Sequence, residues 1–92
     1  MPIQVRHINY VIAAADHGSF RRAAAALGVH ESAISRRIRD LEIRLGAALF
    51  IRSAGGVQLT QAGKTFVQRG RQAMTQIGLA RSEVGALGRG ET

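Results

Sequence analysis

The chain has 92 residues, which bounds it to one small domain with a thin core. Its formal net charge is +7, and Lys64 is the only one of the 13 basic residues that is not Arg, so an acidic partner is expected: nucleic acid first, an anionic membrane surface second. The absence of Cys excludes disulfides, Cys-based zinc fingers and thiol chemistry, and a hydrophobic content of 46%, much of it Ala, suits a small helical core better than a large ligand pocket. No apolar run approaches the roughly 18 residues of a membrane span. The N-terminus MPIQVRHI lacks the basic-then-apolar layout of a signal peptide, so a cytoplasmic protein is expected.

Val5 to Asp16 reads as a first helix, with Val5, Ile8, Val11, Ile12 and Ala15 apolar, Pro2 before its start and His17-Gly18 closing it. Ser19 is a good N-cap for a second helix whose Phe20, Ala23, Ala24 and Leu27 recur at helical spacing. Gly28 can end it in the left-handed conformation, and Val29 plugs the turn. A third helix begins near His30 or Glu31 and runs to Leu45, where Gly46 stops it. On it, Ile34, Ile38, Leu41 and Leu45 line one buried stripe, while Ser32, Ser35, Arg36 and Arg39 project from the other side. Small hydroxyls followed by guanidinium groups near a helix N-terminus suit entry into a major groove, where Arg reads guanine or grips phosphate. The alternative is a solvated face, with Arg36 and Arg44 paired to Asp40.

After Gly46, Leu49-Phe50-Ile51 and Val57-Gln58-Leu59-Thr60 are short apolar runs separated by the turn residues Ser53-Ala54-Gly55-Gly56. They predict a small β-hairpin that leans on the helices through Phe50 and Leu59. Thr60 caps a long last helix along which Phe66, Gly70, Ala73, Ile77, Ala80, Val84 and Leu87 follow in alternating steps of four and three. This heptad seam outruns what three short helices can cover, so a second chain is its expected partner. From Gly85 onward the chain is expected to fray. The whole reads as a mainly α protein: a winged helix-turn-helix over residues 1–59, with three helices and a two-stranded wing, then a long dimerisation helix over 60–88 and a frayed tail at 89–92.

The run GSFRRAAAALGVHESAISRRIRDLEIRLGAALFIRSAGGVQLTQAG resembles the N-terminal DNA-binding domain of bacterial LysR-type transcriptional regulators. The likeness lies in the Gly-Ser-Phe start, the alanine run, the Ala-aliphatic-Ser-Arg-x-Ile stretch at Ala33–Ile38, then Leu-Glu, Leu-Gly, Leu-Phe, an Arg and Leu-Thr-x-Ala-Gly; it covers about Ile3 to Ile77. The resemblance implies a linker helix that pairs two subunits in antiparallel fashion and, in full-length members, a C-terminal effector-binding domain. It implies sequence-specific binding to a two-fold-related operator in double-stranded DNA, with a nucleoid-associated cytoplasmic location and, for the full-length protein, contact with RNA polymerase.

By the same resemblance, Ser35 and Arg36 approach base edges, Glu31 and Ser32 stand where base contacts are also made, and Ser19, Arg22 and Arg52 are candidates for phosphate or groove contacts. Arg37 and Arg39 are assigned to the same interface, and His30 is a candidate cap and phosphate contact. There are departures from the pattern. His30 replaces the usual Ser or Thr cap. Glu31 replaces a usual Gln and can accept from a cytosine amino group while repelling phosphate. Gly55 and Gln58 stand where wings often carry Arg.

Other chemistry finds little support. Ala62-Gly63-Lys64-Thr65 resembles the end of a phosphate-binding loop, but Gln58 occupies the position that pattern needs as Gly, and Gly63 is read as a close-packing residue. His7, His17 and His30 lack metal-ligand spacing, with His7 read as a surface residue, and no serine has a base and orienter; no metal, cofactor or enzymatic activity is expected. Ile43 lies on the polar side of the third helix, as an isolated exposed residue or a contact to the linker helix. Two rival functions share the same charge: a sequence-neutral nucleic-acid-binding protein, and a short form that makes mixed dimers with a full-length regulator and blocks it.

Overall fold

The computed structural model describes residues 3–90, so the expectations for Pro2 and for Glu91 and Thr92 of the tail lie outside the described residues. The order is α1 (Val5–His17), α2 (Phe20–Leu27), α3 (Glu31–Leu45), β1 (Phe50–Ser53), β2 (Gly56–Leu59) and α4 (Gln61–Gly88). The expected mainly α, winged helix-turn-helix architecture with a long terminal helix is the one observed.

The helix boundaries follow from their caps. Ser19 Oγ accepts the Arg22 N–H at 3.2 Å and starts α2. Gly28 ends α2 at φ 69°, and the Val29 N–H donates back to the Ala24 carbonyl at 3.0 Å. That bond turns the chain sharply and drops the half-buried Val29 against the core, which sets α3 across α2. His30 is the N-cap of α3, but its imidazole makes no capping bond; Glu31 in the first turn complements the helix dipole instead.

The core is Val11 and Ala14 of α1, Phe20, Ala23 and Ala24 of α2, Ile34, Ile38 and Leu41 of α3, Leu49, Phe50 and Val67. Small alanines on α2 let it approach its neighbours closely, and the larger aliphatics of α3 fill the space between. Three residues expected in apolar stripes are not buried. Leu45 is 42% exposed, Leu27 40% and Val5 43%, because each lies in a terminal turn that extends past the packed elements. His7 departs in the opposite sense. It is buried, and its Nδ1 accepts the Gln4 N–H at 3.0 Å, closing the first turn of α1.

The hairpin pairs Phe50 with Leu59, Ile51 with Gln58, Arg52 with Val57 and Ser53 with Gly56. Both strands therefore reach further toward the turn than the apolar runs implied, and only Ala54-Gly55 remain between them. Leu49 is excluded from the ladder because its N–H is held elsewhere, as described below. Phe50 meets the edge of Phe20 with ring centroids 5.4 Å apart, so the wing does lean on the helices there. At the other end, the Val57 N–H donates to the Gly18 carbonyl at 3.0 Å. Gly56 has φ 126°, and a Cβ on it would fall 2.3 Å from that carbonyl oxygen, so only glycine fits.

Thr60 caps α4 with Oγ1 accepting the Gly63 N–H at 2.9 Å, and the same hydroxyl donates to the Ala48 carbonyl at 2.6 Å. A Cβ on Gly63 would come within 2.0 Å of the Leu49 carbonyl oxygen, which makes it the close-packing residue expected. The helix then crosses α1, where Gly70 lies on Ile8 and Ile12 and Arg71 pairs with Asp16. At a rise of about 1.5 Å per residue, α4 is about 42 Å long and runs well past its last contact with α1. Gly85–Gly88 continue the helix rather than fraying. Among the described residues, no helix is long and apolar enough to cross a membrane.

Candidate nucleic-acid interface

The interface is built outward from α3. Its core side is fixed by Ile34, Ile38 and Leu41, each at most 1% exposed, so the orientation of the opposite side follows from helical geometry. Ser32, Arg36 and Arg39 are all exposed and succeed one another at steps of four and three, forming an outermost row that ends at Ile43. Ile43 is 71% exposed and does not turn back toward α4. Asp40 forms no ion pair with Arg36 or Arg44; the ion pairs among the described residues are Arg52–Glu42 and Arg71–Asp16. The guanidinium groups of Arg36 and Arg39 thus face outward beside the Ser32 hydroxyl, as a groove-reading helix requires.

The remaining predicted residues fall on the flanks of this row. Ser35 is half-buried and turns toward the wing, where its Oγ accepts from Arg52 Nη1 at 3.3 Å. Arg37 is half-buried on the opposite flank, toward α1, close enough to His7 to disfavour a second positive charge there. Burial, then Arg37, Arg44 and Arg6, hold the His7 imidazole below its ordinary value, with Asp40 pulling weakly the other way. His30 and Glu31 are exposed at the start of α3, on the same edge as the α2 turn.

Ser19 and Arg22 sit at the start of α2, and with Arg21 and the wing residues Ala54, Gly55 and Gly56 they line an open hollow of about 280 Å³. The structure therefore brings together two groups of predicted residues: the α3 row, and the α2 start beside the wing. Arg52 is engaged at the wing base. Its guanidinium lies 4.7 Å from the Phe20 ring centre, donates to Ser35, and pairs with Glu42 at 3.4 Å.

Glu42 was not singled out in the sequence, although it is the acid of the Leu-Glu pair. Its Oε2 accepts the Leu49 N–H at 2.7 Å and the Phe50 N–H at 3.3 Å, while Oε1 faces Arg52. One carboxylate thus ties α3 to the loop and to the first wing strand. Its side chain is only 14% exposed, and the bonds it accepts link positions too far apart for local periodicity to reveal.

The seam on α4 divides in two. Phe66 packs against the core, Gly70 is buried under α1 and Ala73 is half-buried. Beyond them Ile77 is 39% exposed, Val84 66% and Leu87 69%, with Ala80 also exposed. The first half is therefore partly covered within the protomer, and the second half is uncovered. Ile3, Ile8, Phe66, Arg69, Gly70 and Ala73 line an apolar hollow of about 250 Å³ between α1 and α4, beside the start of the seam.

Residues 5–64 match the family model described as bacterial regulatory helix-turn-helix protein, lysR family. The chain is 39% identical over 88 residues to the HTH-type transcriptional regulator TfdT of Cupriavidus pinatubonensis, a match that takes in 94% of this chain and 39% of the regulator. It is 40% identical over 89 residues to the small neutral protease regulatory protein of Streptomyces coelicolor, taking in 92% of this chain and 28% of that one. The chain therefore spans well under half the length of these relatives. Among solved structures it superposes on the CbnR DBD–DNA complex with a TM-score of 0.88 at 32% identity, covering 94% of this chain and 99% of that one. On the BenM DBD bound to catB site 1 DNA the TM-score is 0.90 at 28% identity, over 94% and 97% of the two chains. These relatives are regulators rather than enzymes. The chain belongs to the lysR family of bacterial regulatory helix-turn-helix proteins, as that family's winged helix-turn-helix DNA-binding domain followed by a long helix.

Proposed function

We propose that this domain binds double-stranded DNA sequence-specifically, as a homodimer on a two-fold-related operator, and regulates transcription in the bacterial cytoplasm at the nucleoid. The observation that carries the reading is the outward row Ser32, Arg36 and Arg39 on a helix whose other side is the core. Inserted in a major groove, this row places Arg36 at base edges, with Glu31, Ser32 and Ser35 beside it, while Arg37 and Arg39 approach the flanking phosphates. Ser19 and Arg22, with His30 nearby, meet the backbone at the start of α2, where helix dipole and guanidinium both favour an anion. Residues 1–59 form the reading unit and 60–88 the pairing helix.

Pairing of α4 with a second α4 gives the uncovered Ile77, Ala80, Val84 and Leu87 an apolar partner. An antiparallel arrangement centres the seam near Ile77 and lays the far end of one helix along the Phe66, Gly70 and Ala73 end of the other. In a protein as long as the matched relatives, further domains bind effector, and contact with RNA polymerase belongs to that assembly.

The test is selection from a random duplex library with the full chain, alongside sedimentation across a range of concentrations. An enriched inverted repeat, with half-sites near one helical turn or a multiple apart, and a dimer in solution are expected. Equal competition by specific and scrambled duplexes would establish the sequence-neutral alternative. A steep salt dependence accompanies either outcome.

A further inference from the structure

We infer that Arg52, at the base of the wing, is a specificity-positioning residue: it engages one acceptor lone pair of the Ser35 hydroxyl and biases that hydroxyl toward donating a hydrogen bond to DNA. The inference rests on the proposed groove reading, in which Ser35 faces a base.

A serine hydroxyl carries one proton and accepting lone pairs, so an unconstrained serine serves as donor or acceptor and discriminates poorly. Here Ser35 Oγ already accepts from Arg52 Nη1 at 3.3 Å. The guanidinium that makes this bond is held on two other sides. Nη2 pairs with Glu42 Oε1 at 3.4 Å, and the guanidinium carbon lies 4.7 Å from the Phe20 ring centre. Glu42 is fixed in turn by the Leu49 and Phe50 N–H groups. A planar guanidinium has donors only, so its presence at Ser35 presents no acceptor that could turn the serine proton inward.

The consequence is chemical selectivity. In the major groove, guanine, adenine and thymine each offer an acceptor, whereas cytosine offers only its amino donor. With one of its two lone pairs engaged, Ser35 donates more readily than it accepts, so it is well satisfied by the first three and matches the cytosine amino group less well. A single hydrogen bond of this kind corresponds to a preference of about fivefold against cytosine at the facing base. The wing thus acts on base reading through α3, without its tip gripping the minor groove.

The experiment is library selection and affinity measurement with the full chain, its Ser35→Ala, Arg52→Met and Arg52→Lys variants, and the two corresponding double variants. Ser35→Ala identifies the operator position that Ser35 faces, as the one whose preference flattens. At that position Arg52→Met is expected to erase the discrimination against cytosine, by about fivefold, while preferences elsewhere in the site stay as they are. Adding either Arg52 change to Ser35→Ala should alter the preference there no further. Arg52→Lys retains the charge and therefore the salt dependence. Its single nitrogen lacks the planar fork that reaches Ser35 and Glu42 from two separate positions, so it too should lose the discrimination, and it carries the test if Arg52→Met fails to fold. An Arg52→Lys protein that keeps the full preference at the Ser35 position would overturn the inference. So would a folded Arg52→Met protein whose affinity falls evenly over all sequences with a shallower salt slope, since that marks a phosphate contact. If Ser35→Ala changes no position, the groove placement of Ser35 fails instead, which is a different result.

Discussion

Glu42 allows the contributions of charge and of backbone hydrogen bonding to be separated. Glu42→Ala leaves the Leu49 and Phe50 N–H groups without their acceptor, and Leu49 is only 2% exposed, so water replaces the lost bond poorly. Each unsatisfied buried donor costs about 1–3 kcal/mol, and the longer Phe50 bond belongs at the low end, giving about 3 kcal/mol in total. The Arg52 bridge is worth much less. At 3.4 Å, with the Arg52 side chain 33% exposed, it contributes under about 1 kcal/mol after solvent screening. Glu42→Gln keeps a carbonyl oxygen for the backbone and loses only the bridge, so it should cost about 1 kcal/mol. For a domain of this size 1 kcal/mol corresponds to roughly 4–8 °C in Tm. Thermal melts at one protein concentration should therefore show Glu42→Ala lower by about 12–24 °C and Glu42→Gln by about 4–8 °C. Raising salt to about 1 M, where the screening length is about 3 Å, should narrow the Gln deficit and leave most of the Ala deficit. If both variants melt together and high salt restores both, the ion pair rather than the backbone tie holds the wing, and the argument is wrong.

Arg36→Ala should cost about 1–3 kcal/mol in operator affinity and blur the preference at one base position, whereas Arg37→Ala, on the α1 flank, should weaken binding evenly and lower the salt slope by about one. A competition assay over single-base operator variants separates the two patterns. Ile77→Asp combined with Val84→Asp should shift sedimentation to monomer while the protomer stays folded by circular dichroism, because both side chains are exposed in the protomer. An undiminished dimer would place the pairing surface elsewhere. His7 is held below the ordinary 6.5 by burial and then by Arg37, Arg44 and Arg6, with Asp40 opposing. Above 6.5 it is neutral in the folded and unfolded states alike. As the pH falls, the unfolded chain takes up the proton first, and stability is lost from 6.5 down through the lower folded-state value. His7→Gln should remove that part of the acid sensitivity, and an identical pH profile of Tm in the variant would refute it.

Much of the fold can be read locally because it is punctuated locally. Ser19, Gly28, Gly46 and Thr60 each act within a few residues of themselves, and each ends or begins the element assigned to it. What could not be read is either terminal or long-range. Leu45 has the correct period, but periodicity gives a direction and not the length of the surface opposite. His7 looked like a surface residue because its type is polar; its acceptor role needs only Gln4 three residues away, yet its burial depends on α3. The interface was legible along the Ser32, Arg36 and Arg39 row, where helical spacing decides which side faces out. It was not legible at Arg52, whose partners Glu42 and Ser35 lie ten and seventeen residues back along the chain. A basic residue beside a wing suggests phosphate contact, and nothing local signals its acid partner.

The half-covered seam bears on how a dimer would measure DNA. A Cβ on Gly70 would lie 3.0 Å from Ile8 Cγ2, so the glycine lets α4 press directly on α1 at the cost of helix propensity. Phe66 is likewise committed to the core side. The early seam positions therefore help anchor α4 to its own reading unit, while their open side and the later positions meet the partner in the proposed dimer. In the proposed dimer, the path from one α3 to the other runs through α1 against α3, α4 against α1, and α4 against α4, with packed side chains at each step and no flexible tether. The distance between the two reading helices is then set by side-chain packing, Gly70 on Ile8 among the contacts, and a larger residue at Gly70 changes half-site spacing before it changes which bases are read.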